Sequence, residues 1–517
     1  MRPVALPAAG VFAFAILVVA SANLAAQASA SGGLSLLDAA RTALAEQPLI
    51  GLSREQVTIA RGVLQSASGR FDVGFTSTVD RTRSTTPLRQ QEIGTSPTST
   101  LLNNQTRVTF GLEKPLRSGL LISPFVEIAR QDVNLDPTAT NRASVGVALI
   151  QPLVRGRGVA IVTAHETAAR YDVDASTRDL RHNASTAVLH TAVAYWNYVA
   201  AAHNLEIVVA AEARARRLVS EVQTLIGAGN RPAADLRQAN GNLAERIAQR
   251  TSYEQALFEA RQSLGLAMGI AADRITALPL PVDPFPAIAS VLPETGDARL
   301  VALALERRAD LDAVRQRTLS TQSLQTVARD GLRSQVDLNV HVGYAGLAEG
   351  GSFPGLFASL QERVAGPDIA ATVSIARSHA NNTARGQLAQ ADAAVRQTAL
   401  RIDDLTRQIR SGVDVAGNDL ARSAQRVRLL RDAASAYDAA VTDERDKLQI
   451  GLSTIIDLIS IEDRLTRSLL DEVAARLGYA TALARLRFET GTLIDGATPD
   501  FQVLADAFIT VPSGGGR

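Results

Sequence analysis

Gly229-Asn230-Arg231-Pro232-Ala233-Ala234-Asp235-Leu236 and Gly451-Leu452-Ser453-Thr454-Ile455-Ile456-Asp457-Leu458 are two copies of one pattern, Gly-x5-Asp-Leu, 222 residues apart. The same offset carries Leu243 onto Leu465, Leu264 onto Leu486 and Gly269 onto Gly491. Matches in a single register mark a duplication rather than separate coincidences. Each pattern closes a long helical stretch. Val159–Ile226 holds neither glycine nor proline, and Gln387–Ile450 is interrupted only by Gly412 and Gly417. At 1.5 Å per residue, roughly 68 residues make a rod of about 100 Å, too long for one globular core. A second helix follows each turn, Ala233–Met268 and Thr454–Thr490, with Ala as common as Leu on the apolar stripe. That mixture suits closely packed antiparallel helices.

Working outward, the strands come next. Phe71, Val73, Phe75 and Val79 alternate with Asp72, Gly74, Thr76 and Thr78. Val336, Leu338, Val340, Val342 and Tyr344 alternate with Asp337, Asn339, His341 and Gly343. Val145, Val147 and Leu149 form a third such run, and Ile369, Ala371, Val373 and Ile375 a fourth. Period-two patterning of this kind fits a sheet between an apolar and a polar medium. Four strands cannot close a barrel alone, since about eight is the practical minimum, whereas three chains supply twelve. Arg107–Lys114 and Leu120–Arg130 read as a further hairpin across Arg117-Ser118-Gly119, either in the barrel or beyond the membrane. The polar stretches Arg81–Gln105 and Gly346–Gly366 read as exterior loops.

The chain thus divides into a signal peptide (1–30), a first repeat (31–276), a proline-rich linker (277–297), a second repeat (298–496) and a tail (497–517). Strands are expected at about 70–152 and 335–376, and helical hairpins at about 159–269 and 380–491. The signal peptide rests on Arg2, the apolar run Ala5–Ala20 and the small-residue site Ala28-Ser29-Ala30. No cysteine follows it to carry a lipid, and no later run of ~20 apolar residues exists for a membrane helix. The linker contains Pro279, Pro281, Pro284, Pro286 and Pro293, so it is extended rather than helical.

Composition removes most other functions. A net charge of +1, from 53 basic against 52 acidic residues, gives no basic face for nucleic acid. The absence of cysteine excludes thiolate catalysis, disulfides and cysteine-ligated metals. His165-Glu166 opens like a zincin motif, but Ala169 stands where the second histidine belongs. Arg155-Gly156-Arg157-Gly158 lacks the rest of a phosphate or dinucleotide loop and reads as a strand-to-helix turn. His182 and His190 are expected at solvated or interhelical positions, and Tyr195, Trp196 and Tyr198 in interhelical packing. No convergent polar site is visible, so neither an enzyme nor a cofactor is expected.

With the twin turns, the residues Leu149-Ile150-Gln151-Pro152-Leu153 and Leu303-Ala304-Leu305-Glu306-Arg307-Arg308-Ala309-Asp310-Leu311 complete a pattern that resembles the TolC-type outer-membrane efflux family. The resemblance covers roughly Ser35 to Leu493. It implies a mainly helical chain with a transmembrane β portion, assembled as a homotrimer. The trimer's twelve-stranded barrel lies in outer-membrane lipid and continues into an α-helical tunnel across the periplasm. It also implies a periplasmic adaptor (membrane fusion) protein and an inner-membrane transporter as partners. Such a duct serves a drug or metal efflux pump or a type I secretion system. A periplasmic coiled-coil protein, structural or adaptor, without a barrel is the other reading of the hairpins; it leaves the alternating strands unexplained.

By the same resemblance, Gly229 and Gly451 lie at tips that contact the adaptor. Asp457 belongs to an acidic ring at the periplasmic entrance, while Asp235, also a gate candidate, reads first as a helix-start carboxylate. The gate pattern departs from the family at Ser453, where a basic residue is usual, at Leu448 in place of a tyrosine, and at Ser460 in place of a second acid. Arg231 is the cation available to replace the missing one from the other repeat. Ala376 also occupies a junction where the family often has proline.

Overall fold

The computed structural model describes residues 32–94, 98–136, 138–229, 231–293, 296–350, 365–496 and 500–512; the expected signal peptide lies outside them. The chain opens with α1 (Leu36–Glu46), whose Ser35 cap accepts the Asp38 N–H at 3.1 Å, and α2 (Pro48–Gly69). Strand β1 (Gly74–Pro87) and a short α3 (Gln90–Ile93) lead to β2 (Thr100–Pro115), β3 (Leu121–Val133) and β4 (Thr140–Pro152). The turn α4 (Val159–Val162) precedes the 64-residue α5 (Ala164–Gly227), which returns through α6 (Ala234–Met268). After α7 (Ala272–Thr276), the second half begins with α8 (Ala298–Arg307) and α9 (Ala309–Asp330). Strands β5 (Gln335–Glu349) and β6 (Ala365–Ala376) follow, then the 68-residue α10 (Asn382–Gln449) and α11 (Ile455–Glu489).

The strands form one antiparallel meander in the order β1-β2-β3-β4-β5-β6. Four strands were expected; six are present among the described residues, and the Arg107–Arg130 hairpin is the pair β2–β3, set between β1 and β4. The assignment of Arg81–Gln105 to a loop is corrected at the same time. Pairing runs without a break from Gly74↔Glu113 to Pro87↔Thr100, so most of that stretch is strand. Its residues are polar on both faces, which hides the alternation on which a strand reading depends. Gly346–Glu349 is likewise strand, and 351–364 lies outside the described residues.

Helix α5 packs against α2 and α6 and also against α9 and α11, while α10 packs against α9 and α11. The shorter helices meet end to end. Gln47, just before α2, donates its side-chain N–H to the Ala267 carbonyl near the end of α6 at 3.0 Å. Arg308, just before α9, donates to Glu489 at the end of α11 at 2.6 Å. Each half therefore supplies one continuous stave, α5 or α10, and one broken stave, α6–α2 or α11–α9.

Two apolar clusters fill the interior. The larger centres on Tyr195, Trp196 and Tyr198 with Leu264 and Ala480; the other holds Leu311, Leu420, Tyr479 and Leu483. The proline-rich linker lies across both as an extended strap. Leu34 donates to the Leu280 carbonyl and accepts from Val282, and Phe285 stacks on Trp196 at 5.7 Å between centroids. Tyr195 Oη reaches the Leu34 carbonyl and Asp283 at 2.9 Å each, while Tyr479 Oη accepts the Ala289 N–H. The aromatic trio is thus packing, as its spacing on one helix indicated.

Candidate functional site

The two ends of the molecule carry the features that bear on function. At the strand end, the register assigns every side chain to one of two faces. One face carries Phe75 and Val79; Val108, Phe110 and Leu112; Ile122, Val126 and Ile128. It continues through Val145, Val147 and Leu149; Leu338, Val340, Val342 and Tyr344; and Ile369, Val373 and Ile375. These residues form a continuous apolar belt, roughly 25 Å tall at ~3.3 Å per residue. Many are open to the surroundings, Val79 at 71% and Ile375 at 73%. The other face is polar, with Arg107 and Glu127 paired at 3.6 Å and His341 facing Asp368 at 3.8 Å.

The seam between sheet and helices is ionic. Arg117, in the β2–β3 turn, grips Glu166 at the start of α5 with two hydrogen bonds of 2.9 Å. This pair holds the Glu166 carboxyl below its ordinary range, chiefly through the Arg117 hydrogen bond. Glu166 is thus committed to the seam, whatever its zincin-like neighbour suggested. Arg155-Gly156-Arg157-Gly158 is the strand-to-helix turn, with Gly156 at φ +79° donating its N–H to Asp330 at 2.6 Å. At the matching junction of the second half, Ala376 ends β6 and Asn381 enters α10 at φ +46°.

At the far end, α5 and α10 stop at the two tip glycines. Gly229 has φ +77° and Gly451 φ +80°, the left-handed conformation in which other residues clash with their own carbonyl. At the second tip the Leu452 N–H bonds the Lys447 carbonyl at 2.8 Å and the Gly451 N–H the Leu448 carbonyl at 3.2 Å, closing a Schellman cap. Leu218, Val222, Ala239, Leu448, Ile455 and Leu458 pack the two tips together.

The sequence-selected residues divide here into two groups. Arg231 donates to the Ser453 carbonyl at 3.1 Å and lies 3.9 Å from Asp235. Arg231 and Ser453 are equivalent positions of the two repeats, so one tip is latched to the other at a pseudo-symmetric point. The cation thus meets a backbone carbonyl, and Asp457 is engaged elsewhere. Asp457 accepts from Thr454 Oγ1 at 2.6 Å and from the Thr454 N–H at 3.2 Å, in a capping box that starts α11. These bonds, Thr454's hydroxyl first, keep its carboxyl below the ordinary range. Ser453, buried, hydrogen-bonds Glu444, which Lys447 also contacts at 3.1 Å.

A cluster that sequence reading missed lies higher between the hairpins. Glu462 of α11 is only 4% exposed and accepts from Arg445 of α10 at 2.9 Å. Burial pushes its carboxyl up, opposed by Arg214, Arg445 and Arg246. Arg214 of α5 donates to Thr466 at 3.1 Å, and Arg246 of α6 pairs with Asp463. Four helices thus meet at one ionic knot. The signal for it was Glu462 on the apolar stripe between Leu458 and Leu465. Sequence reading also left out Ile450, Leu452 and Ile456, which stand exposed around the second tip at 70%, 75% and 54%.

No protein-family model matches the chain, and no curated protein matches it in sequence. Solved structures do. The outer-membrane protein VceC from Vibrio cholerae is 16% identical, with 88% of this chain and 96% of that one covered at a TM-score of 0.64. The Campylobacter jejuni CmeC outer-membrane channel is 14% identical, with 88% and 85% covered at 0.64. The fold is that of the TolC-type outer-membrane efflux channels. The open state of the MtrE outer-membrane channel from Neisseria gonorrhoeae matches as well, 14% identical, with 88% of each chain covered at a TM-score of 0.60. No helix among the described residues is long and apolar enough to cross a membrane, and no group of metal-binding side chains occurs among them.

Proposed function

We propose that the protein is an outer-membrane channel, the passive exit duct of a tripartite efflux pump or type I secretion system. It moves small molecules or proteins from the periplasm or transporter to the exterior. The observation that carries this reading is the continuous apolar belt, held at one end of staves about 100 Å long. A soluble protein buries such a face against a second layer; here it faces outward across all six strands. A coiled-coil adaptor has no use for that belt.

The working unit is a homotrimer set in outer-membrane lipid, with the helical tunnel in the periplasm. Gly229 and Gly451 turn the chain where a periplasmic adaptor docks, and Ile450, Leu452 and Ile456 supply apolar contact there. The Arg231–Ser453 latch and the Arg445–Glu462 knot hold the hairpins in the closed arrangement. Asp235 and Asp457 line the entrance, and three copies of Asp457 favour cations. Energy comes from the partner transporter: adaptor contacts available only to the open arrangement shift the equilibrium.

Negative-stain microscopy of the detergent-extracted mature protein tests the proposal. Threefold tubes well over 100 Å long, as the staves require, support it. Single rods or compact globules that need no detergent overturn it in favour of the coiled coil.

A further inference from the structure

We infer that three copies of this chain close an eighteen-stranded barrel, wider than the twelve-stranded one the family resemblance implies. This rests on the duct reading above and adds the size of its exit. Two observations carry it.

First, the β2–β3 hairpin belongs to the wall. It is bonded along both sides, to β1 through Gly74↔Glu113 to Pro87↔Thr100 and to β4 through Leu121↔Ile150 to Gln131↔Thr140. Val108, Phe110 and Leu112 with Ile122, Val126 and Ile128 continue the apolar belt without a step. The reverse face carries the Arg107–Glu127 pair, the chemistry of a wet lumen. Arg117 ties the hairpin's turn to the tunnel helix, so it cannot swing out as an external flap.

Second, the sheet ends in two complementary open edges. Among the described residues β1 and β6 each pair on one side only. With an even number of antiparallel strands, β6 runs opposite to β1. The β6 edge of one copy therefore meets the β1 edge of the next antiparallel, with both apolar faces outward. Phe75 and Val79 on one edge and Ile369, Val373 and Ile375 on the other are highly exposed, the condition that a second copy relieves.

Because diameter grows roughly linearly with strand number, an exit of eighteen strands is about half again as wide as one of twelve, with roughly twice the cross-section.

The first test is a cryo-EM map of the detergent-extracted full protein. A threefold particle with eighteen strands in the wall is expected. A threefold tube with twelve strands and the hairpin outside the wall overturns the inference yet leaves the duct standing. A twofold particle with twelve strands overturns the eighteen-strand closure. Failure to form any membrane-inserted tube overturns the duct reading itself. The second test is independent of the map and uses the cysteine-free background. Val79→Cys with Val108→Cys, partners across β1–β2, is expected to give a disulfide within each chain. Val79→Cys combined in turn with Cys substitutions at Ile369, Val373 and Ile375 is expected to give covalent dimers and trimers in denaturing gels. A within-chain disulfide between Val79→Cys and Val145→Cys places β1 directly beside β4 and overturns the inference.

Discussion

Arg231 illustrates how much one side chain can decide. Its guanidinium is mostly covered and donates to the Ser453 carbonyl at 3.1 Å, bridging the two tips. A hydrogen bond from a charged donor contributes about 1.5–3 kcal/mol. On the channel function proposed above, Arg231→Ala is therefore expected to raise the open fraction roughly tenfold or more, read as conductance in planar bilayers. Unchanged conductance removes Arg231 from the proposed gate. Asp457 behaves differently, because its carboxylate caps α11 together with Thr454. Thr454→Ala is expected to cost about 0.5–2 kcal/mol of helix stability, while Asp457→Asn is expected to lower cation preference in reversal-potential measurements. Equal selectivity of wild type and Asp457→Asn leaves that carboxylate a cap alone.

At the scale of elements, the informative places are the end-to-end joints of the broken staves. A methyl group on Gly269 would lie 2.6 Å from the Gln47 Cα, and one on Gly491 2.9 Å from the Arg307 carbonyl carbon. Both glycines also have positive φ, +77° and +68°. Gly491→Ala is expected to destabilise the second joint by about 2–4 kcal/mol, from the left-handed backbone plus the clash. A thermal melt within a degree or two of wild type contradicts that account. The same joint carries a pH dependence. Burial by itself raises the Asp310 carboxyl, but the Arg308 fork at 2.6 and 3.0 Å overrides it and holds the group below its ordinary value. A depressed acid contributes stability above its unfolded pKa of about 4 and loses it as pH falls through the folded value. Acid is thus expected to loosen the α11–α9 joint. In Asp310→Asn the acid-dependent part of hydrogen exchange at the start of α9 should flatten; a wild-type pH profile places the sensitivity elsewhere.

For the whole molecule, stability of the tip end of the helical body depends on the knot that joins four helices. Glu462 is surrounded by Arg214, Arg246 and Arg445 in a buried site. Glu462→Ala leaves Arg214 and Arg445 without their shared counter-charge and is expected to cost about 3–5 kcal/mol. The hairpins should then separate near the tips, exposing Leu218 and Leu448 to proteolysis, while the strand end retains its pairing. Digestion that begins in the strands instead shows that the knot does not hold the hairpins together.

The sequence alone determined what periodicity and register can encode. The 222-residue offset exposed the duplication, the helical runs gave staves longer than any globule, and the alternating strands gave an apolar and a polar face. Tip glycines were legible because a turn in the left-handed region selects that residue. The place of the β2–β3 hairpin was not legible. Pro124 on the apolar face and Phe125 on the polar face interrupt its pattern, and Asn104, Thr106, Arg130 and Asp132 carry it beyond the apolar belt. Tertiary structure alone decided its partners, as it decided that Arg231 meets Ser453 and that Arg445 meets Glu462. The physical reason is common to all three. Hydrophobic period reports which face a residue presents, whereas a hydrogen bond or ion pair needs a partner position that only the folded path of the chain supplies.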